Sequence, residues 1–135
     1  MEADFLIIAD AIQVSGDKLS MLGGAWTFVF AREFPANHPM GLAAGLLVDW
    51  NETNIAHDLT MTIRNEDTGT EVWKAEGTFE QGRAAGTPPG VRQRVLVGFN
   101  LTLLIAAPGD LVAEIIVDGQ SLRKTPFKAV ASRTG

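Results

Sequence analysis

Ala107-Pro108-Gly109-Asp110-Leu111-Val112-Ala113-Glu114-Ile115-Ile116-Val117-Asp118-Gly119, continued by Pro126-Phe127-Lys128-Ala129-Val130, is the stretch that decides the fold class. Pro-Gly interrupts what precedes it, the β-branched run that follows reads as a strand, and Asp-Gly is a strong short-range hairpin signal. A second strand runs back. The prediction is antiparallel β structure.

Working outward from this hairpin, the same grammar recurs. Phe5 to Val14 carries apolar residues on both alternation phases, as a strand covered on two sides does. Ser15-Gly16-Asp17-Lys18 reads as a turn, and the returning segment Leu19 to Phe30 is interrupted by Gly23-Gly24, where a bulge or bend is expected. Glu33 to Pro39, with two prolines, reads as a loop. Met40 to Val48 is a strand, and Asp49 to Asn54 is a polar connection. His57 to Arg64 alternates cleanly, with Leu59, Met61 and Ile63 inward and Asp58, Thr60, Thr62 and Arg64 toward water. Asn65 to Thr70 turns into Glu71 to Phe79. Glu80 to Gln93 has no periodicity and many Gly and Pro residues, so it reads as a long loop. Arg94 to Leu104 is a strand with Val95, Val97, Phe99, Leu101 and Leu103 on one phase. About eight strands and no helix predict an all-β, two-sheet antiparallel β-sandwich of immunoglobulin-like type. One domain over residues 1–131 with a frayed tail, 132–135, is expected.

Composition narrows the function classes. A chain of 135 residues is long enough to bury about two-thirds of its unfolded surface. With no cysteine, disulfides, thiolate nucleophiles and zinc-thiolate clusters are excluded. The N-terminus has acids where a signal peptide has lysines, and its apolar run is too short to span a membrane, so a cytoplasmic chain without a membrane partner is expected. A net charge of −5 argues against nucleic acid, whose phosphates demand clustered Lys and Arg.

The closing strands resemble those of immunoglobulin-like and transthyretin-like bacterial sandwiches, where a tyrosine commonly takes the place of Leu111. This chain has no tyrosine, so only the architecture carries over. Ala9-Asp10-Ala11 with Leu22-Gly23-Gly24-Ala25-Trp26, Trp50-Asn51-Glu52-Thr53-Asn54 with His57, and Gly82-Arg83 with Pro88-Pro89-Gly90 resemble a family of small bacterial proteins defined only as a domain of unknown function. That resemblance spans most of the chain. It implies no activity and transfers no catalytic residue.

Residue by residue, chemistry is sparse. Asp49, Asn51, Glu52 and Asn54, with His57 and Asp58 beyond them, are the densest oxygen ligands, but the spacing matches no EF-hand, and Asx side chains bonding nearby backbone are the expected reading. His38 and His57 lie too far apart in sequence to suggest a facial triad; His57 reads as a hydrogen-bonded structural histidine. No serine sits in a nucleophile elbow, and Glu114 and Asp118 lack the cleft of a glycosidase pair. No catalytic residue, metal or cofactor is assigned. Arg83, Arg92 and Arg94 around the long loop are candidates to grip a carboxylate or phosphate through bidentate forks. Trp26, Trp50 and Trp73 are candidate platforms for a small ligand or carbohydrate. Trp26 shares a phase with Phe28 and Phe30 and reads as core, and Trp50 reads as the exposed one.

One feature of the composition goes unexplained by a single core: 46% of residues are hydrophobic and only 20% charged. Leu96 and Leu104 oppose the core phase of their strand, and Val112 and Ile116 oppose theirs. Apolar residues on both phases predict a covered outer sheet face. The expected function is a non-catalytic interaction or assembly module, its partner itself or another protein, with a small-ligand or carbohydrate-binding sandwich as the alternative.

Overall fold

The computed structural model describes residues 1–132. Nine strands follow in order: β1 (Glu2–Ser15), β2 (Lys18–Gly24), β3 (Phe28–Ala31), β4 (Ala36–Val48), β5 (Ala56–Asn65), β6 (Glu71–Glu80), β7 (Gln93–Ile105), β8 (Gly109–Val117) and β9 (Gln120–Ala131). A single 3-10 turn, Trp50–Glu52, joins β4 to β5. The first sheet has the order β2-β1-β4-β7 and the second β3-β9-β8-β5-β6. Every pairing is antiparallel except β3 with β9, which is parallel. The expected two-sheet all-β sandwich is what the chain forms.

One apolar cluster lies between the sheets. Leu6 and Ile8 of β1 and Met40, Leu42 and Leu46 of β4 face Met61 and Ile63 of β5 and Ile115 of β8, all essentially without exposed surface. For β5 and β8 these are the inward phases read from the sequence; for β1 and β4, where the sequence reading left the inward phase open, the structure turns Leu6 and Ile8, and Met40, Leu42 and Leu46, to the core. Val95, Val97, Phe99 and Leu101 of β7 pack against the same cluster but stay partly exposed. Among the described residues, no helix is long and apolar enough to cross a membrane.

The segment expected as one bent strand, Leu19 to Phe30, is two strands in different sheets, which raises the count from eight to nine. Gly23 and Ala25 take left-handed backbone angles, φ 56° and 65°, and there the chain leaves the first sheet for the second. Asp10 packs so tightly on Gly23 that a Cβ would collide with its carboxylate. That contact accounts for Ala9-Asp10-Ala11 accompanying Leu22-Gly23-Gly24.

Pro39 corrects the loop boundary. It lies within β4, opposite Thr102 of β7, whereas β1 joins β4 only from Gly41. Its missing N–H therefore falls where β4 still has one free side, the position at which a strand tolerates proline. Pro126 in β9 follows the same rule: it pairs with Val112 of β8, and β3 joins β9 only from Lys128.

The sequence's double-sided β1 is explained by its own far half. Beyond Ala9 it bends across the outside of the first sheet, and Ile12, 8% exposed, forms a second small cluster with Ala9 and Ala43 that Val14 and Leu19 complete. Asn100 of β7 fixes this crossing: its side chain accepts from the Ile12 amide at 2.9 Å and donates to the Ile12 carbonyl at 2.8 Å. Glycine is required beneath it. A Cβ on Gly98 would lie 2.6 Å from Ile12 Cδ1 and 3.1 Å from the Leu42 carbonyl oxygen. Gly98→Val is accordingly expected to cost about 1–3 kcal/mol by overpacking, measured as a drop in the urea midpoint at unchanged slope.

The expected tail begins at Ser132, whose amide donates to the Ala31 carbonyl at 2.8 Å; residues 133–135 lie outside the described residues.

Candidate functional site

One end of the sandwich gathers most of the polar residues singled out in the sequence. The 3-10 turn after β4, the start of β5, the β6–β7 loop, the β8–β9 turn and the N-terminus meet there. Arg83, from the loop, lays its guanidinium over the Trp50 ring, Cζ 3.6 Å from the centroid. Its Nε donates to Thr53 Oγ1 at 2.6 Å and its Nη2 to the Trp50 carbonyl at 2.8 Å. Arg92 bridges Asp49 at 2.8 Å and Glu2 at 3.0 Å, and Arg94 pairs with Asp4. The loop itself is turned by Gly86 and Gly90 in left-handed conformations and tied by Thr87, whose amide and hydroxyl both donate to the Ala84 carbonyl.

The three arginines thus come to one end, and each has a partner from its own chain. The carboxylates nearby are engaged as well. Glu52 accepts from the Asp49 amide at 2.9 Å and faces the N-terminal ammonium at 3.1 Å. The hydrogen bond from Arg92, above all, holds the Asp49 carboxyl below its ordinary range. Among the described residues, no three His, Cys, Asp or Glu side chains are placed to share a metal ion.

His57 is the most constrained group at this end. It opens β5 on the inward phase and is 6% exposed, its ring tilted against Phe79 at 5.3 Å between centroids. Nδ1 meets Asp118 Oδ2 at 2.7 Å, and Nε2 meets the Glu52 carbonyl at 2.7 Å. Both partners accept, so the form of the ring that satisfies both is the one with a proton on each nitrogen. The bond to the Glu52 carbonyl, followed by that to Asp118, raises its pKa above the ordinary histidine value. Asp118 is held in a left-handed turn position, φ 51°, by the Asp58 amide at 2.9 Å. The pair fastens the β8–β9 turn to the start of β5.

The tryptophans are placed differently from expectation. Trp50 is half-buried under Arg83, where an exposed ring was expected. Trp26 packs edge-on to His38 and Phe127 at 5.5 and 6.0 Å, and burial lowers the pKa of His38. Trp73 stands edge-on to Phe99 at 6.0 Å. Trp26 turns inward as expected of it, but Phe28 and Phe30 do not share its phase. Trp26 precedes β3 in the crossing segment, so alternation does not carry from it into the strand.

Phe28 and Phe30 are the residues that sequence reading missed. They are 54% and 63% exposed on the outer face of β3 and stack on each other at 6.2 Å. Trp26 and Thr27 lie in the crossing segment before β3, so the phase of Trp26 does not extend to Phe28 and Phe30.

Of the apolar residues expected to form an interface, Leu96 and Leu104 lie on β7 in the first sheet, and Val112 and Ile116 on β8 in the second. They face opposite outsides of the sandwich and cannot form one surface. Val112 is buried by its own chain between its strand neighbours Arg64 and Pro126, whereas Leu104 is 56% exposed.

The four sheet edges differ sharply. β6 carries Glu71, Lys74, Glu76 and Glu80, the charge that keeps an edge from pairing with another chain. β7 has 13 residues, no charge from Val95 to Ile105, and no bulge in its register with β4. Among the described residues nothing pairs with its free side.

Fold and edges together define a small two-sheet β domain. The chain belongs to a family of unknown function (DUF6941), which it matches over residues 4–130. No curated protein matches the sequence. Among solved structures it is similar to the Pseudomonas fluorescens alkylpurine DNA glycosylase AlkC bound to DNA containing an abasic site analog, at 18% identity and a TM-score of 0.43. The likeness covers 78% of this chain and 28% of that one, and at such a score it supports no inference about function.

Proposed function

We propose that this chain is a non-catalytic interaction and assembly module that associates with copies of itself through β7, along its free edge and the outer face bearing Leu96 and Leu104. The observation that carries the reading is the edge itself. Monomeric β proteins guard long edges with lysine, proline, bulges or a covering segment; from Val95 to Ile105 β7 has no lysine, proline or bulge, and among the described residues no strand pairs with its free side. Its inward residues Val95, Val97, Phe99 and Leu101 are only half-buried at this margin, so a strand added there would gain apolar contacts as well as backbone hydrogen bonds. The immunoglobulin-like assignment is supported by the order β9-β8-β5-β6 opposite β1-β4-β7, which is how the strands of that sandwich divide between its sheets.

The test is absolute mass by light scattering over a dilution series. Wild type is expected to exceed the single-chain mass. Thr102→Lys with Leu104→Lys, both at exposed positions of β7, is expected to abolish the contact with unfolding stability changed by less than about 0.5 kcal/mol. Assembly that survives this double variant unchanged would overturn the reading.

A further inference from the structure

We infer that β3 is a second self-association edge, which pairs antiparallel with the β3 of another copy about a two-fold axis at Val29, so that the chain is a building block for open linear assemblies. The contact rests on observations of β3 alone; the open assembly rests also on the β7 reading above.

The hydrogen bonds of β3 fix which of its groups are free. The Lys128 amide donates to the Thr27 carbonyl at 2.9 Å and the Ser132 amide to the Ala31 carbonyl at 2.8 Å. In a parallel pair, alternate residues turn both backbone groups toward the partner, so Thr27, Val29 and Ala31 face β9. Phe28 and Phe30 therefore direct their N–H and C=O groups out of the free side.

A copy related by a two-fold axis at Val29 sets Phe28 opposite Phe30 of the other chain, and Phe30 opposite its Phe28. Both become hydrogen-bonded antiparallel pairs, each exchanging two bonds, and the two Val29 residues form the non-bonded pair between them. Residues opposite one another project to the same face, so the two exposed stacked pairs, at 54% and 63% exposure, merge into one block of four rings. The next register, centred on Phe30, would require Arg32, which lies in a bend beyond the strand. Backbone polarity, side-chain face and strand length all select the same partner, which is β3 itself.

The rim is polar, with Lys128 3.5 Å from Asp110. A four-residue strand buries less than the ~1,200 Å² of a stable complex, so this contact is weak and concentration-dependent. β3 and β7 occupy opposite margins of the sandwich. Two different isologous contacts close into a dihedral tetramer only where their axes cross; an antiparallel strand pair has its two-fold axis perpendicular to its own sheet, so pairs at the two margins have separate, roughly aligned axes and the assembly propagates.

Four proteins decide the matter by light scattering, with thermal melts to establish that each is folded: wild type, the β7 variant Thr102→Lys/Leu104→Lys, a β3 variant Phe28→Lys/Phe30→Lys, and the combination. Wild type is expected to grow beyond two chains with concentration, each edge variant to stop at two, and the combination to remain single. A β7 variant that is a single chain at every concentration overturns the β3 contact while leaving the β7 reading intact. A β3 variant that is a single chain while the β7 variant still pairs overturns the β7 reading and the linear assembly instead. Wild type that never exceeds one chain overturns both. Hydrogen exchange supplies an independent readout: in the paired β7 variant the Phe28 and Phe30 amides are expected to slow at least tenfold against dilute protein, and unchanged exchange there sinks the proposed register.

Discussion

Arg64→Met is expected to lower the unfolding free energy by about 3 kcal/mol, because it strands a buried carboxylate. Glu114 sits on the outer face of β8 in the middle of the second sheet, yet only 4% of it is exposed. Three groups converge on it: the Arg64 guanidinium from β5, the Ser121 hydroxyl from β9, and, more distantly, the Lys124 ammonium at 3.8 Å. Arg64 is the close cation. Without it the charge is held only by a hydroxyl and by a lysine whose side chain is 58% exposed, which places the loss at the lower end of the 3–5 kcal/mol typical of a broken buried pair. The double variant Arg64→Met/Glu114→Met is expected to recover most of that loss, since removing both charges removes the desolvation cost together with the attraction. Urea unfolding of the two variants beside wild type measures both effects. A single variant as stable as wild type would show that Arg64 does not hold the Glu114 charge.

This network also shows where the sequence stopped being legible. Alternation placed Arg64 and Thr62 on the outer phase of β5 and Glu114 on that of β8, but Thr62, expected toward water, is only 2% exposed. Alternation carries no information about which outer residues are buried by their lateral neighbours. That depends on register, which brings Thr62 opposite Glu114 and Pro126 opposite Val112. The same limit affected the apolar surplus. The double-sided pattern of β1 did mean that an outer face is covered, but the cover is its own far half, seated on Gly41, Ala43 and Gly98 through Ile12.

The candidate site divides in the same way. The long loop, its three arginines and Trp50 were identifiable because local composition marks them, and the fold does bring them to one end. Their partners were not identifiable, since Arg92 reaches Asp49 across 43 residues and Glu2 across 90, and Arg94 reaches Asp4 across 90. Phe28 and Phe30 differ from the expected phase for a local reason: Trp26 and Thr27 belong to the crossing between the two sheets, so alternation does not run from Trp26 into β3. An edge is likewise a property of sheet order. Arg94 to Leu104 was readable as a strand, which the structure extends by one residue at each end, and its want of a neighbour was not.

His57→Phe is expected to cost about 2–3 kcal/mol near pH 6, comparable to a hydrogen bond involving a charged group, and the cost is expected to shrink as the pH rises. In the folded chain both ring nitrogens donate, to the Glu52 carbonyl and to Asp118, so the protonated form is preferred and the pKa is raised above 6.5. A group whose pKa is raised on folding contributes its full stability below the unfolded value and loses it as the pH climbs through the folded one. The deprotonated ring would set a bare nitrogen against one of two acceptors. Asp118 has the opposite sign: its carboxyl is lowered from 3.8, first by the His57 bond and then by the Asp58 amide, so its contribution is complete above that value and is lost as the pH falls through the folded pKa. Asp118 is half-exposed, with 52% of its side chain in solvent, so solvent screens its share. The pair therefore stabilises most between 3.8 and 6.5, the ordinary values of the two groups, and wild type should weaken on the alkaline side while His57→Phe, whose ring still stacks on Phe79, stays flat. Unfolding free energies of both proteins from about pH 5 to about pH 9 measure the difference directly. A gap between them that did not change with pH would mean that His57 is neutral in the fold, and that one of its two acceptors goes without a donor.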